Sequence, residues 1–146
     1  MSSSRSAAKK LVVSGSRDLD RPSVLDSSAI LAAIYNEPGS DLVAGLRRGA
    51  LLSSVNLAEV HTKLLLDGSA PNFAWSRILS MGWEICLFDA DQARTASEMV
   101  WKTRPFGLSP GDRACLALAM QRNATVYTAD QAWKGLPLPV HIEFIR

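Results

Sequence analysis

The sequence predicts a single α/β domain, with a parallel central sheet of about five strands and helices on both faces. Three observations carry this reading. Short apolar runs of strand length ("SVLD", "ALLSSV", "EICLF", "ATVYTAD" and "HIEFI") alternate with longer segments whose apolar residues fall at helical spacing. Runs that are apolar on successive residues suit strands buried on both faces, which is the parallel arrangement. A chain of 146 residues, 47% hydrophobic and 21% charged, has the size and composition of one domain with a full core.

Each element can be justified in order. "SVLD" is a strand that ends on a carboxylate, Asp26, and "SSAILAAIYN" follows with Ile30, Leu31 and Ile34 on one helical face. "EPGSD" breaks that helix. "DLVAGLRRG" places Leu42, Val43 and Leu46 together and stops at Gly49, a residue type that ends helices. "ALLSSV" is the second strand and "NLAEVHTKLLLDG" the next helix, halted by Gly68. A helix over 72–81 carries Phe73, Trp75, Ile78 and Leu79, "EICLF" is the third strand, and a long helix spans about 91–102. In "LSPGDRACLALAMQRN" a serine, a proline and, at the third helical position, an acid form a helix-start signature. "ATVYTAD" is the fourth strand and "HIEFI" a fifth, at an edge.

Several function classes fall away on composition. No apolar run approaches the roughly 20 residues of a membrane span, and the net charge of +2 permits a nucleic-acid partner without demanding one. Residues 1–22, rich in serine and charge, read as a flexible extension, and the absence of an export signal leads to the expectation of a cytoplasmic protein. Cys86 and Cys115 lie in apolar surroundings and read as buried free thiols; His61 and His141 have no companions at zinc-ligand spacing.

The chemistry lies in four acids at strand–helix junctions. Asp26 follows the first strand, Glu59 lies in the first turn or so of the helix after the second, Asp112 opens the helix "SPGDRACLALA", and Asp130 ends the fourth strand. Taken singly, each has an ordinary role: Asp26 and Asp112 as caps, Glu59 as a first-turn acid meeting the helix dipole, Asp130 as a turn residue. Together they fall where open parallel sheets bind ligands, beyond the carboxyl ends of the strands. Two carboxylates about 5 Å apart repel by roughly 3 kcal/mol at an effective dielectric near 20, so a crowded set takes up protons or a cation. Oxygen-only ligands suit a hard divalent ion such as Mg²⁺ or Mn²⁺, which can activate water for attack on a phosphodiester.

These residues resemble a known family. "VLDSSAILAAIYNEPG", "SSVNLAEV" and "LSPGDRACLALAMQRNATVYTAD" are similar to the PIN-domain ribonucleases, and most of all to the VapC toxins of VapBC toxin–antitoxin modules, over residues 23–146. The resemblance implies a PIN domain over that range with Asp26, Glu59, Asp112 and Asp130 as the acidic site, Asp26 and Asp112 touching the metal directly. It makes Ser28 and Thr128 the small hydroxyl residues beside the first and last acids, and Asn56 the polar residue one turn before the glutamate. It further implies Mg²⁺- or Mn²⁺-dependent cleavage of RNA, a cognate VapB-type antitoxin and a homodimer. Lys63, Lys102, Arg104 and Arg113 are the candidate RNA-phosphate contacts.

Competing readings remain. A PIN-like module that grips RNA or protein without cutting would gain nothing from four crowded acids. A phospho-acceptor domain would want paired acids after the first strand, where "VLDSS" has one. A nucleotide-binding domain would want a glycine-rich phosphate loop after a strand, and none follows. The apolar residues Leu31, Ile34, Leu42 and Leu46, with Leu64, Leu65, Trp75, Ile78 and Leu79, exceed what one sheet face can hide, and are expected to leave a groove for an antitoxin helix.

Overall fold

The structure is a computed structural model that describes residues 21–46 and 49–146. The expectation for residues 1–22 therefore falls almost wholly outside the described residues. Pro22 is within them, and its carbonyl accepts from Thr125 N–H at 2.8 Å, so the hydrogen-bonded fold begins at least that early.

The strands are β1 (Ser23–Leu25), β2 (Ala50–Ser53), β3 (Glu84–Cys86), β4 (Thr125–Thr128) and β5 (His141–Phe144). The helices are α1 (Ser27–Ile34), α2 (Ser40–Leu46), α3 (Ser54–Leu66), α4 (Pro71–Ser80), α5 (Ala90–Glu98), α6 (Val100–Thr103) and α7 (Pro110–Arg122). Short 3₁₀ turns cover Arg104–Phe106 and Gln131–Trp133. The sheet order is β3-β2-β1-β4-β5, and every pairing is parallel. The chain builds outward from β1 through β2 to β3, then crosses to β4 on the other flank. The boundary between β1 and β4 is thus the topological switch point, where open sheets place their ligands.

The strands are apolar on both faces because both are covered. Leu25, Leu52 and Tyr127 point into one core layer with Ile30, Val43, Leu57, Val60, Leu64 and Ile78 from α1 to α4. Val24, Leu51 and Val126 point into the other with Cys115, Leu116 and Leu118 of α7 and the buried Trp133. α3 also meets α7, with Asn56 near its start bonded to the Gly111 carbonyl.

Some boundaries differ from the sequence reading for local reasons. "ALLSSV" leaves the sheet at Ser53, whose hydroxyl accepts from Val55 N–H at 3.1 Å and starts α3 at Ser54. The long helix expected over 91–102 is two helices, because Met99 turns out of helical geometry between α5 and α6.

Gly39 fixes how the last strand's end packs on α2. Its φ is +96°, and a Cβ there would stand 2.6 Å from the Ile145 carbonyl oxygen. Gly39→Ala should therefore destabilise by about 1–3 kcal/mol in denaturant unfolding. Gly68→Ala, equally left-handed at φ +104° but open to solvent, should lose less. Equal losses would show that Ile145 imposes no constraint.

Candidate active site

Asp26 stands at the switch point and is 2% exposed. It caps α1: Oδ1 accepts from Ala29 N–H at 2.8 Å and from the Ser28 hydroxyl at 2.7 Å. Its Oδ2 accepts from the Thr128 hydroxyl at 2.6 Å. The same hydroxyls accept from the next backbone N–H groups, Ser28 from Ala129 at 2.8 Å and Thr128 from Asp130 at 3.0 Å. One carboxylate and two hydroxyls thus tie β1 to the end of β4.

Glu59 lies in the second turn of α3, not the first, because the helix starts at Ser54. The helix dipole fades beyond the first turn, so side chains hold it instead. Its Oε1 accepts from the Ser27 hydroxyl at 2.6 Å and from Asn56 Nδ2 at 2.9 Å. Asn56, buried one turn earlier, also donates to the Gly111 carbonyl at 3.2 Å, linking α3 to α7. The Glu59 carboxylate rests on Gly111 itself, where a Cβ would fall 2.0 Å from Oε2. Neither Ser27 nor Gly111 was singled out from sequence. Their contacts join residues far apart in the chain, and the only signal was a glycine placed before the capping acid in "SPGD".

Asp112 is the acid of a complete capping box. Its Oδ2 accepts from Ser109 N–H at 2.9 Å, and Ser109 Oγ accepts from Asp112 N–H at 3.1 Å. Asp130 caps the 3₁₀ turn after β4, with Oδ1 accepting from Ala132 N–H at 2.9 Å. The ordinary capping roles are therefore real for Asp26, Asp112 and Asp130.

Capping does not use up these acids. Among the described residues, Asp112 Oδ1, Asp130 Oδ2 and Glu59 Oε2 each lack a donor, and none of the four acids pairs with Lys or Arg. Burial is what shapes the electrostatics. Desolvation raises the Asp26 carboxyl from 3.8 to about 6, against the lowering effect of its hydrogen bonds to Thr128, Ser28 and Ala29; the Asp112 charge adds least. Desolvation also raises Asp112, with smaller contributions from Glu59 and Asp130. Mutual repulsion, the effect expected from sequence, is thus secondary to loss of water. Cys115, buried beneath, has its thiol pushed well up first by burial and then by Asp26, Asp112 and Glu59. Both cysteines are free.

The donor chemistry fits a hard cation: oxygen ligands, partly desolvated, with open lone pairs and, among the described residues, no ion pair to Lys or Arg. The geometry is not yet that of a bound ion. Among the described residues, no three Asp, Glu, His or Cys side chains stand close enough to hold one together.

The four basic candidates are placed unequally. Lys63 pairs with Asp67 at 3.2 Å and lines an open cleft of about 810 Å³ with Glu59, Val55, Leu66 and Phe88. Arg113 donates to the Leu108 carbonyl at 3.2 Å, while Lys102 and Arg104 are exposed. Of the apolar residues expected to form a groove, Leu64 and Ile78 are core, and Leu31, Ile34, Leu42 and Leu46 pack against it. Leu65, Trp75 and Leu79 are exposed, with the Trp75 ring edge-on to His61 at 5.1 Å. No helix of the described residues is long and apolar enough to cross a membrane.

A sequence profile of the PIN domain matches residues 23–137. The chain belongs to the PIN-domain family. Its fold is shared with VapBC2 from Rickettsia felis, solved on a promoter DNA fragment, at 21% identity and TM-score 0.66, covering 84% of this chain and 97% of that one. DNA-bound VapBC from Salmonella typhimurium matches at 18% identity and TM-score 0.68, covering 86% and 99%. FitAcB from Neisseria gonorrhoeae matches at 22% identity and TM-score 0.63, covering 82% and 95%. Comparison with curated protein sequences gave no match.

The Asp26 environment has a consequence for stability without metal. A carboxyl raised on folding favours the folded state where it is protonated, and that advantage is lost as pH rises through the folded value. The change from 3.8 to about 6 corresponds to about 3 kcal/mol, at about 1.4 kcal/mol per tenfold change in acidity. In chelator, Asp26's contribution should therefore worsen between about pH 4 and 6.5, and Asp26→Asn should remove that slope. Denaturant unfolding at pH 5 and 7.5 checks this; parallel pH profiles for both proteins would refute it.

Proposed function

We propose that this PIN-domain chain is the nuclease toxin of a VapBC-type toxin–antitoxin pair, cleaving RNA phosphodiester bonds with Mg²⁺ or Mn²⁺. The observation that supports this most is the chain of acids in which Asp112 feels the charges of Glu59 and Asp130 and buried Asp26 feels that of Asp112, with no paired Lys or Arg among the described residues.

A bound divalent ion would supply charge neutralisation at the phosphate and a water of lowered pKa. Asp26 and Asp112 would hold it. Asp26 keeps one lone-pair position beyond its three hydrogen bonds, and Asp112 keeps Oδ1. Glu59 and Asp130, at the rim, would orient water and accept its proton. Ser28 and Thr128 hold Asp26 in place, and Asn56 holds Glu59. Lys63, on the cleft wall beside Glu59, would meet the RNA backbone, and Arg113, next to Asp112 in the chain, would be a second phosphate contact.

The same cleft suits the antitoxin. An amphipathic helix laid along α3 over Val55, Leu66 and Phe88 would bury apolar surface and pass over Glu59, covering that acid without reaching the core. The VapBC structures that share the fold are complexes by their names, which supports such a partner. Assembly as a homodimer and a cytoplasmic location belong to the same reading. That, among the described residues, no three such side chains are gathered at metal-binding distance is what would fit the runner-up, a PIN-like module that grips RNA or protein without cutting.

Incubation of the purified chain with RNA, followed by sequencing of new ends, separates the two. Cleavage should cease in EDTA and return with Mn²⁺ or Mg²⁺. Asp26→Asn and Asp112→Asn should each lower it by more than about 100-fold, and Glu59→Gln and Asp130→Asn by about 10–100-fold. Metal-independent cleavage, or full activity in either of the first two variants, would overturn the nuclease reading.

Gly111→Ala gives a finer check. Alanine favours a helix by about 1 kcal/mol over glycine, and the clash falls on the carboxylate end of the Glu59 side chain rather than on backbone. Stability should hold or rise while cleavage drops by about tenfold. Unchanged cleavage would show that Glu59 has no need of its seat.

A further inference from the structure

Trp101 is 74% exposed, which is unusual for an indole that could have packed inward. It sits on α6, between the core helix α5 and the loop that leads to the acids. The Arg104 guanidinium lies over its ring, 5.4 Å from the centroid. Lys102, between them in the chain, is exposed, and neither it nor Arg104 has an ion-pair partner among the described residues. The acid that precedes them in sequence, Glu98, is taken by Arg94 at 3.0 Å. The patch therefore combines a flat π surface with two uncompensated cations.

Its backbone is held firmly. The buried Thr103 hydroxyl donates to the Met99 carbonyl at 3.0 Å, and Gly107, left-handed at φ +74°, returns its N–H to the Arg104 carbonyl at 2.9 Å. Leu108 N–H reaches the Thr103 carbonyl at 3.4 Å and closes the loop. The Leu108 carbonyl then accepts from Arg113, and the next residue, Ser109, holds Asp112. One short closed loop thus joins the patch to the candidate metal ligands.

We propose that Trp101 is a stacking platform for an unpaired base of an RNA strand, with Arg104 and Lys102 gripping the flanking phosphates. Aromatic faces take any base, and cations beside them track the backbone, which is how single strands are held without sequence readout. A symmetric contact with a second copy centred here would press like charges together, so RNA is the favoured occupant. The proposal rests on the ribonuclease reading and adds a subsite to it: the strand would be held beside the cleavage centre and not only at it.

The test is binding of the full chain to a fluorescein-labelled oligoadenylate of about 12 nucleotides, in EDTA so that no metal-dependent cleavage intervenes, across a salt series. Trp101→Ala should weaken binding by about tenfold with an unchanged salt slope, and Trp101→Phe should restore most of the loss. Arg104→Ala should weaken it and reduce the slope by about 0.7. If the parent binds and Trp101→Ala binds within about twofold of it, the platform is refuted while the nuclease reading stands on its cleavage assay. If Trp101→Ala instead dissociates a dimer in sedimentation without altering RNA affinity, the patch is a self-association surface and the proposal fails. A parent that does not bind the oligoadenylate refutes the platform, while the ribonuclease reading is decided separately by its cleavage assay.

Discussion

The structure depends on one buried carboxylate at the seam of the sheet. Asp26 joins the strand that starts the fold to the strand that completes it, through the hydroxyls of Ser28 and Thr128 and the first turn of α1. A charged group that is 2% exposed is costly unless its lone pairs are met, and here three donors meet them. The donors only partly offset desolvation, so the carboxyl stays raised to about 6. A site of this kind is stable enough to fold around and still has something to gain from a cation.

The other acids follow the same logic of shared duty. Asp112 and Asp130 each commit one oxygen to ending an element and leave the other open, while Glu59 commits one to Ser27 and Asn56. For the proposed metal ligands, a place at a cap has a physical reason. A cap residue is fixed by its own helix, so its free oxygen is aimed without further support. The capping and ligand readings of these residues, set against each other in the sequence, are therefore compatible.

Much of the fold was legible because the periodicities were strong. The five strands, their parallel arrangement and most helices followed from apolar runs bounded by Gly, Pro and Asp. The errors lay where one residue could serve two elements. Ser53 and Ser54 continue a strand pattern but cap and open α3, which moved Glu59 a turn deeper into its helix. The break at Met99 left no mark in the spacing of apolar residues. The apolar excess on α1 to α4 was visible, yet its division into core Leu64 and Ile78 and exposed Leu65, Trp75 and Leu79 was not.

The sequence by itself determined the fold class and which acids fall at strand ends, because alternation and turn chemistry act over a few residues. It also marked Ser28, Asn56 and Thr128 as neighbours of those acids through the resemblance to PIN-domain proteins. Only the tertiary structure decided what holds each acid: Ser27 and Gly111 on Glu59, Thr128 on Asp26, burial rather than repulsion as the main electrostatic effect. Contacts between residues tens of positions apart depend on how two faces of a sheet close over its rim, and no local pattern encodes that closure.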